Sequence, residues 1–363
     1  MDIPPFRYMA WAKAHSSRGR FPLHASGIPA ESLESLGLDG AAVRLSRPNP
    51  PPPDPEVAAA VAARYGVPVE CVMPACGTHH ANYMLARVLA GPGTTVLCEE
   101  PNYEALPGVF RAVGARVLPF RRRREEAWRL PIPVIRRGVE AGAKVVVTTD
   151  LHNPSGARLL PDDLAALDGI GRDLGAWILV DEVYRDFLPP PFGTSFHPGG
   201  PFLATSSVTK VYGLGGLRIG WALAAPEIVD RMRDLNDYLV VNLPAPSASV
   251  ALAAWERLPG IAARNRAHGL SNLRIVREWV RGRGDVLWSE PEAGISGFLE
   301  VPALRGKDDV AWVEGLFEET GVGVVPGTMF FEPGSLRVSW GMDEGRLREG
   351  LALLGGALDR LRG

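Results

Sequence analysis

The chain has 363 residues, 46% of them hydrophobic and 22% charged, a composition typical of ordinary soluble globular proteins. One hydrophobic core rarely grows to this length, so we expect about two domains. The net charge of −2 and the pI of about 6.4 exclude a general attraction to nucleic acid or to an anionic membrane.

The cysteines and the N-terminus indicate a reducing compartment. Cys71, Cys76 and Cys98 have the spacing of neither a disulfide framework nor a zinc site, so no metal is predicted. Residues 1–6 do not resemble a signal peptide, and no apolar run is long enough to span a bilayer. We therefore expect a cytoplasmic protein without a membrane partner.

Short apolar runs alternate with helical stretches through the first two thirds of the chain. The proline-rich stretch 48–55 predicts a stiff extended connector, and Val57–Tyr65 predicts a short helix. Amphipathic stretches such as Leu164–Leu174 separate the apolar runs, which are Thr95–Cys98, Arg116–Leu118, Lys144–Thr149, Ala176–Val180 and Phe202–Thr205. This alternation predicts a mostly parallel sheet flanked by helices, with functional residues at the carboxyl ends of its strands.

One charged run interrupts this pattern. Arg121–Arg124 is followed directly by Glu125 and Glu126, so its charge is partly compensated. We interpret the run as a solvated loop rather than a nucleic-acid-binding patch.

The pattern changes after about residue 245, where a smaller α+β unit is predicted. Its helices are Ala248–Leu258, Ile261–Arg283 and Asp343–Leu361, and its strands are Gly297–Val301, Gly323–Pro326 and Leu336–Ser339. We expect an N-terminal segment (1–44) that packs with the small domain, a large domain (45–245) and a small C-terminal domain (246–363).

Lys210 is a candidate catalytic residue because of the residues around it. Lysine occurs only four times among 39 basic residues, so the other 35 are arginines. Arginine stays protonated, whereas a desolvated lysine loses its proton and forms a Schiff base with an aldehyde. The small and hydroxyl residues of the segment 205–220 suit a phosphorylated carbonyl compound, although a surface lysine in a loop is the alternative.

Other polar groups follow the predicted strands in the same way. Asn153 lies in a turn after one strand, and Asp181 and Tyr184 follow the next. Gly77 and Thr78 precede a helix over Ala81–Leu89, whose N-terminus would favour an anion. Taken singly, each of these motifs is typical of an ordinary turn or helix cap.

Together these motifs resemble the fold-type I pyridoxal-phosphate enzymes, in particular the class I and II aminotransferases. The resemblance runs from about Leu23 to Gly341, with the motifs in the family's order. Its elements are Pro101-Asn102-Tyr103, Asn153-Pro154-Ser155-Gly156, Asp181-Glu182-Val183-Tyr184, and the lysine segment with Ser207, Lys210, Gly213-Leu214, Gly216, Arg218 and Gly220. It implies an α/β large domain that binds pyridoxal 5′-phosphate and a smaller α+β domain.

The resemblance also implies roles around the cofactor ring. Lys210 would hold the cofactor as an aldimine and act as the base. Asp181 would face the pyridine nitrogen. Asn153 and Tyr184 would bond the 3′ oxygen, and Tyr103 would stack on the ring.

Further residues are implied for the phosphate and the substrate. Thr78, Ser207 and Arg218 would hold the phosphate together with Gly77 and, through its backbone, His79. Arg337 would clamp the substrate α-carboxylate, with Gly27 and Asn153 nearby.

Several residues keep two interpretations each. His79 and His80 could simply cap or pack the helix start, and His152 could line the pocket or lie outside it. Phe6, Tyr8 and Trp11 could cover the active site or pack on the small domain.

The sequence departs from the family at one position. Relatives carry a tyrosine that reaches the partner subunit's phosphate, and the stretch 44–49 has none, so Arg47 or Asn49 would have to replace it. No arginine recognises a substrate side chain, so an acidic substrate is not indicated.

We predict a homodimeric aminotransferase, with active sites near its interface, that acts on an L-amino acid and a 2-oxo acid. The alternatives are elimination, decarboxylation or a cyclisation like that of capreomycidine synthase on the same scaffold. A non-catalytic ligand sensor is a further alternative, but no segment for DNA binding accompanies it.

Overall fold

The computed structural model describes residues 5–15, 18–46 and 54–362. The helices are α1 (Arg7–His15), α2 (Pro55–Tyr65), α3 (Thr78–Leu89), α4 (Ala105–Ala112), α5 (Ile132–Glu140), α6 (Pro161–Leu174), α7 (Pro226–Asn236), α8 (Ala245–Ala254), α9 (Leu258–Arg281), α10 (Asp309–Thr320) and α11 (Glu344–Arg362). The strands are β1 (Val72–Ala75), β2 (Thr95–Glu100), β3 (Arg116–Arg121), β4 (Val145–Thr149), β5 (Trp177–Asp181), β6 (Phe202–Ser207), β7 (Gly220–Leu223), β8 (Ser296–Glu300), β9 (Val325–Pro326) and β10 (Ser335–Ser339). Within these ranges, no helix has both the length and the apolar character needed to cross a bilayer.

A seven-stranded sheet in the order β1-β7-β6-β5-β4-β2-β3 forms the centre of the molecule. The pairs among β2 to β6 are parallel, and only β7 runs against its neighbours. All five residues of β4 and all six of β6 are buried, as expected for strands covered by helices on both faces. The predicted mostly parallel α/β sheet is confirmed.

Sequence analysis did not predict β1 and β7, which pair with each other at one edge of the sheet. Both strands have only four residues, and each contains a residue that usually weakens a strand, Pro74 or Gly220. Proline is tolerated in β1 because β1 is the edge strand. Tertiary pairing therefore decides their conformation more than local propensity does.

A second, antiparallel sheet in the order β8-β10-β9 belongs to the predicted smaller α+β unit. The predicted strand over 323–326 is reduced to Val325–Pro326. The predicted gap between two long helices is also displaced, because a 3₁₀ turn at Trp255–Arg257 leads directly into α9.

Helix α1 connects the parts of the molecule that carry these two sheets. Trp11 Nε1 donates to Glu314 Oε1 at 2.8 Å, and His15 Nε2 lies 2.9 Å from Glu314 Oε2, both on α10. At the other end, the Tyr8 amide donates to Glu104 Oε2 at 3.0 Å, just before α4.

The interpretation of Arg121–Arg124 as a solvated loop is wrong. Arg121 ends β3, and Arg122 is 2% exposed. Arg122 Nη1 donates to Glu99 Oε2 at 2.9 Å, and Glu99 also accepts from Thr148 and Thr149. A buried charge is stable only when it is paired and hydrogen-bonded, and Glu99 provides that pairing.

The predicted connector over 48–55 and the possible tyrosine substitutes Arg47 and Asn49 lie outside the described residues, except for the last two positions of the connector. Of these two, Pro55 is the first residue of α2 and Asp54 precedes it.

Candidate active site

The carboxyl ends of β4, β5 and β6 border a cavity of about 680 Å³. Pairing of Thr149 with Asp181, and of Asp181 with Thr205, places these strand ends side by side. Most of the predicted site residues line the cavity: Gly27, Thr78, His79, Tyr103, Asn153, Asp181, Tyr184, Ser207, Lys210 and Arg218. Gly77 and Arg337 are not among the lining residues, but each adjoins or contacts one of them.

Lys210 carries the amine of the site. Enclosure by protein, together with the charges of Arg337 and Arg218, lowers the pKa of Lys210 to about 8, and Asp181 opposes this shift. Its Nζ donates to Ser26 Oγ at 2.6 Å. A substantial fraction of this amine is therefore neutral near physiological pH, as a nucleophile or base requires.

Asp181 lies at the end of a chain of three polar side chains. Asn82 Nδ2 donates to Asp181 Oδ2 at 2.9 Å, and Thr205 Oγ1 donates to Asn82 Oδ1 at 2.9 Å. The Val183 amide donates to Asp181 Oδ1 at 3.1 Å. Burial raises the pKa of Asp181 to about 6, while the bonds from Asn82 and Val183 lower it. These donors fix the carboxylate in one orientation.

Two tyrosines occupy the wall between the N-terminal segment and the sheet. Tyr184 Oη donates to the Ser26 carbonyl at 2.6 Å. Tyr103 Oη lies 3.1 Å from His79 Nε2, and its ring packs edge-on against Tyr8, with centroids 5.0 Å apart. The Tyr8 ring also packs edge-on against Phe330, with centroids 5.6 Å apart.

The start of α3 has the properties of an anion site. Gly77 is its N-cap with φ of 81°, and the buried Thr78 Oγ1 has no hydrogen-bond partner in the described structure. A Cβ at position 77 would lie 2.4 Å from Arg218 Nη2, so only glycine permits this close approach. Arg218 forms no ion pair within the described residues, and its own hydrogen bonds are long, at 3.4 and 3.5 Å. Helix amides, an unpartnered hydroxyl and an available guanidinium are suited to bind a phosphate group.

Arg337 lies behind Asn153 and is 1% exposed. Its Nη1 donates to Asn153 Oδ1 at 3.3 Å and its Nη2 to the His24 carbonyl at 2.6 Å, while its Nε has no partner among the described groups. The rings of Tyr8 and Phe330 flank the guanidinium. A buried guanidinium without a carboxylate partner is a strong recognition group for a substrate carboxylate.

The structure distinguishes the alternatives for the three histidines. His79 lines the cavity, whereas His80 Nδ1 accepts from the Cys76 amide at 3.1 Å and so packs at the helix start. His152 is buried outside the cavity lining. Its Nε2 donates to the Pro101 carbonyl at 2.8 Å and its Nδ1 lies 2.6 Å from Ser155 Oγ.

Both alternatives for the N-terminal aromatic residues hold, for different residues. Tyr8 lines the cavity, and Phe6 packs near Tyr103 with ring centroids 5.5 Å apart. Trp11 instead packs against α10 through its bond to Glu314.

Sequence analysis missed several residues of this cavity. Ser26 and Asn82 contact Lys210 and Asp181 directly. His24 also lines the cavity, and burial with the nearby Arg337 charge lowers its pKa to about 4. Arg346 lies on the lining as well, but its guanidinium donates to the Arg20 carbonyl. Only a polar residue on the buried face of α3 could have signalled Asn82.

A mostly parallel sheet with a desolvated lysine, a buried aspartate and a helix N-terminus at its carboxyl edge defines a fold-type I pyridoxal-phosphate enzyme. The family model described as aminotransferase class I and II matches residues 41–354. The chain belongs to that family, and pyridoxal phosphate is its cofactor.

Individual relatives show the same relationship. Over 312 residues the chain is 29% identical to the capreomycidine synthase of Streptomyces vinaceus, which covers 85% of this chain and 80% of that protein. Over 330 residues it is 26% identical to an aspartate aminotransferase of Streptomyces avermitilis, covering 84% of this chain and 80% of that protein. The fold superposes on a PLP-dependent aminotransferase from Streptococcus suis with a TM-score of 0.89, at 26% identity over 99% of both chains.

Proposed function

We propose that this enzyme transfers an amino group from an L-amino acid to a 2-oxo acid. The observation that supports this most directly is the position of Lys210, whose amine has a pKa of about 8 in the same cavity as Asp181 and the start of α3. A lysine in this state both binds an aldehyde and exchanges protons near neutral pH.

We assign the phosphate to Thr78, Ser207 and Arg218, together with the amide of Gly77 and the backbone of His79. The unpartnered Thr78 hydroxyl and the availability of Arg218 support this assignment. When bound, pyridoxal phosphate supplies an aldehyde and an electron-withdrawing ring.

The remaining assignments orient the ring and move protons. Asp181 holds the ring nitrogen through its fixed carboxylate, Asn153 and Tyr184 hold the ring oxygen, and Tyr103 covers the ring face. Lys210 Nζ takes up a proton from the substrate and returns it. The hydrogen bonds that fix Asp181 support its role, since they orient one carboxylate toward the cavity.

The substrate α-carboxylate is assigned to Arg337, with Gly27 and Asn153 beside it. Arg337 is buried and its only described hydrogen bonds go to a carbonyl and an amide oxygen. A carboxylate would supply the negative charge that these neutral acceptors lack.

A second candidate reaction is a cyclisation or elimination on the same scaffold. Capreomycidine synthase is one of the relatives, and its identity to this chain is comparable to that of the aspartate aminotransferase. Decarboxylation and a non-catalytic sensor remain alternatives without such a relative among those compared here.

One experiment separates these reactions. The purified holoenzyme is incubated with single amino acids and pyruvate, and the products are analysed by mass spectrometry. Transamination predicts alanine and the 2-oxo acid of the added substrate in equal amounts. Ammonia without alanine indicates elimination, and a product that has lost water but kept its nitrogen indicates cyclisation. A substrate-bound protein without product indicates a sensor.

We further propose a cytoplasmic homodimer with the domain division given above. Tyr238, Leu239 and Val241 expose apolar side chains on the described surface, and a second copy of the chain would cover them. Light scattering coupled to gel filtration tests the dimer directly.

A further inference from the structure

Ser26 is the side chain closest to the reacting amine, and no motif of the sequence indicated it. Its Oγ lies 2.6 Å from Lys210 Nζ. The residue is half-buried and lines the cavity, so its hydroxyl faces the same space as the amine.

The backbone around Ser26 is fixed by contacts with two other site residues. Tyr184 Oη donates to the Ser26 carbonyl at 2.6 Å, and the Ile28 amide donates to the Lys210 carbonyl at 3.2 Å. The position of the hydroxyl therefore follows from backbone docking onto the Lys210 segment, and not only from a side-chain rotamer.

We propose that Ser26 is a further catalytic residue, whose hydroxyl holds the Lys210 amine in the cavity in both of its protonation states. A hydroxyl has one donor hydrogen and two acceptor lone pairs. It accepts a hydrogen bond from the lysine ammonium and donates one to the neutral amine. Ser26 thus keeps Nζ in place before and after Lys210 takes up a proton. The proton itself stays on Lys210, and no net transfer to serine occurs.

This inference rests on the proposed role of Lys210, but its first test needs no reaction. In the cofactor-free protein, acetic anhydride labels neutral lysine amines, and peptide mass spectrometry follows Lys210 across a range of pH. The exposed residues Lys144 and Lys307 serve as references in the same sample. A charge-assisted hydrogen bond stabilises the ammonium form more than a neutral bond stabilises the amine. Ser26→Ala should therefore shift the Lys210 labelling midpoint down by about half to one pH unit.

The second test follows the proton. The loaded enzyme is incubated with an amino acid substrate in D₂O, and exchange at the α-carbon is measured by NMR. Ser26→Ala should slow this exchange by about tenfold or more, with KM nearly unchanged, because the base is no longer held in position. Ser26→Thr, which keeps the hydroxyl, should retain the wild-type midpoint and most of the rate.

The control is Ser35→Ala, an exposed serine of the same N-terminal segment. It should behave as wild type in both tests, and circular dichroism checks the folding of every variant. An unchanged labelling midpoint in Ser26→Ala, or an unchanged exchange rate, overturns the proposal. Because labelling is independent of turnover, loss of the proposed aminotransfer reaction would leave the first test intact.

Discussion

Burial acts on the charges of Lys210 and Asp181 in opposite chemical senses within one cavity. It lowers the pKa of Lys210 to about 8 and raises the pKa of Asp181 to about 6. In both cases the low-polarity surroundings disfavour the charged form. The two shifts bring both groups closer to neutral pH, where proton exchange is easiest.

Replacing Lys210 tests its role directly. Lys210 is the only lysine among the described residues that line the cavity. Lys210→Ala should therefore abolish borohydride-reducible attachment of the cofactor and reduce turnover to background, while circular dichroism shows an unchanged fold. Retention of a reducible attachment in this variant would assign the aldehyde to a different amine.

Asp181 should make the cofactor-free protein less stable as pH rises. Its pKa in the folded protein, about 6, exceeds the model value of 3.8, so the folded state binds more protons than the unfolded state between these values. The contribution of Asp181 to stability is thus near zero below pH 4 and unfavourable above pH 6, by up to about 3 kcal/mol.

Urea denaturation at pH 4 and pH 7.5 measures this effect. Relative to Asp181→Asn, the wild-type free energy of unfolding should fall between the two pH values. Glu182, whose pKa burial raises to about 7, titrates in both proteins and cancels in the comparison. Identical pH dependence of the two proteins would mean that Asp181 titrates normally.

At the scale of elements, helix α1 is held by a small number of polar contacts. Glu314 on α10 accepts from Trp11 Nε1 and lies against His15, which is 4% exposed. Since α1 also places Tyr8 on the cavity wall, its attachment affects the site.

Removing this attachment should loosen α1 without unfolding the protein. Glu314→Ala leaves the largely buried indole and imidazole groups without their acceptor, at a cost of about 1–3 kcal/mol. Hydrogen exchange of residues 7–15 should accelerate, as mass spectrometry of their peptides would show. Glu318→Ala is the matched control, because its ion pair with Arg18 is exposed and longer, at 3.5 Å. Equal protection of α1 in both variants would count against this attachment.

The sequence predicts elements well where burial and local pattern agree. The apolar runs of β4, β5 and β6 are covered on both faces, so hydrophobicity alone located them. Arg122 was misplaced because its partner Glu99 lies 23 residues earlier, and no local pattern shows that pairing. Ser26 and Asn82 were missed for the same reason, since their importance comes from partners 184 and 99 residues away.

At the scale of the molecule, Arg337 joins the two sheets at the cavity. It belongs to β10 of the small sheet, and its guanidinium contacts Asn153 in the turn after β4 of the large sheet. A substrate carboxylate bound here would contact both parts at once. Binding of the common part of all α-amino acids would then stabilise their relative arrangement.

Replacing Arg337 tests whether the enzyme recognises α-amino acids through this group. Arg337→Ala should reduce kcat/KM for every amino acid substrate by similar factors, equivalent to about 2–4 kcal/mol for loss of a buried charge-assisted pair. It should affect the corresponding decarboxylated amine far less, because that amine has no carboxylate to lose. Arg337→Lys keeps the charge but not the two-pronged geometry, so an intermediate loss is expected. The measurement is kcat/KM of the three proteins on one amino acid and its amine. Equal losses on both compounds would show that Arg337 only supports the contact between the sheets.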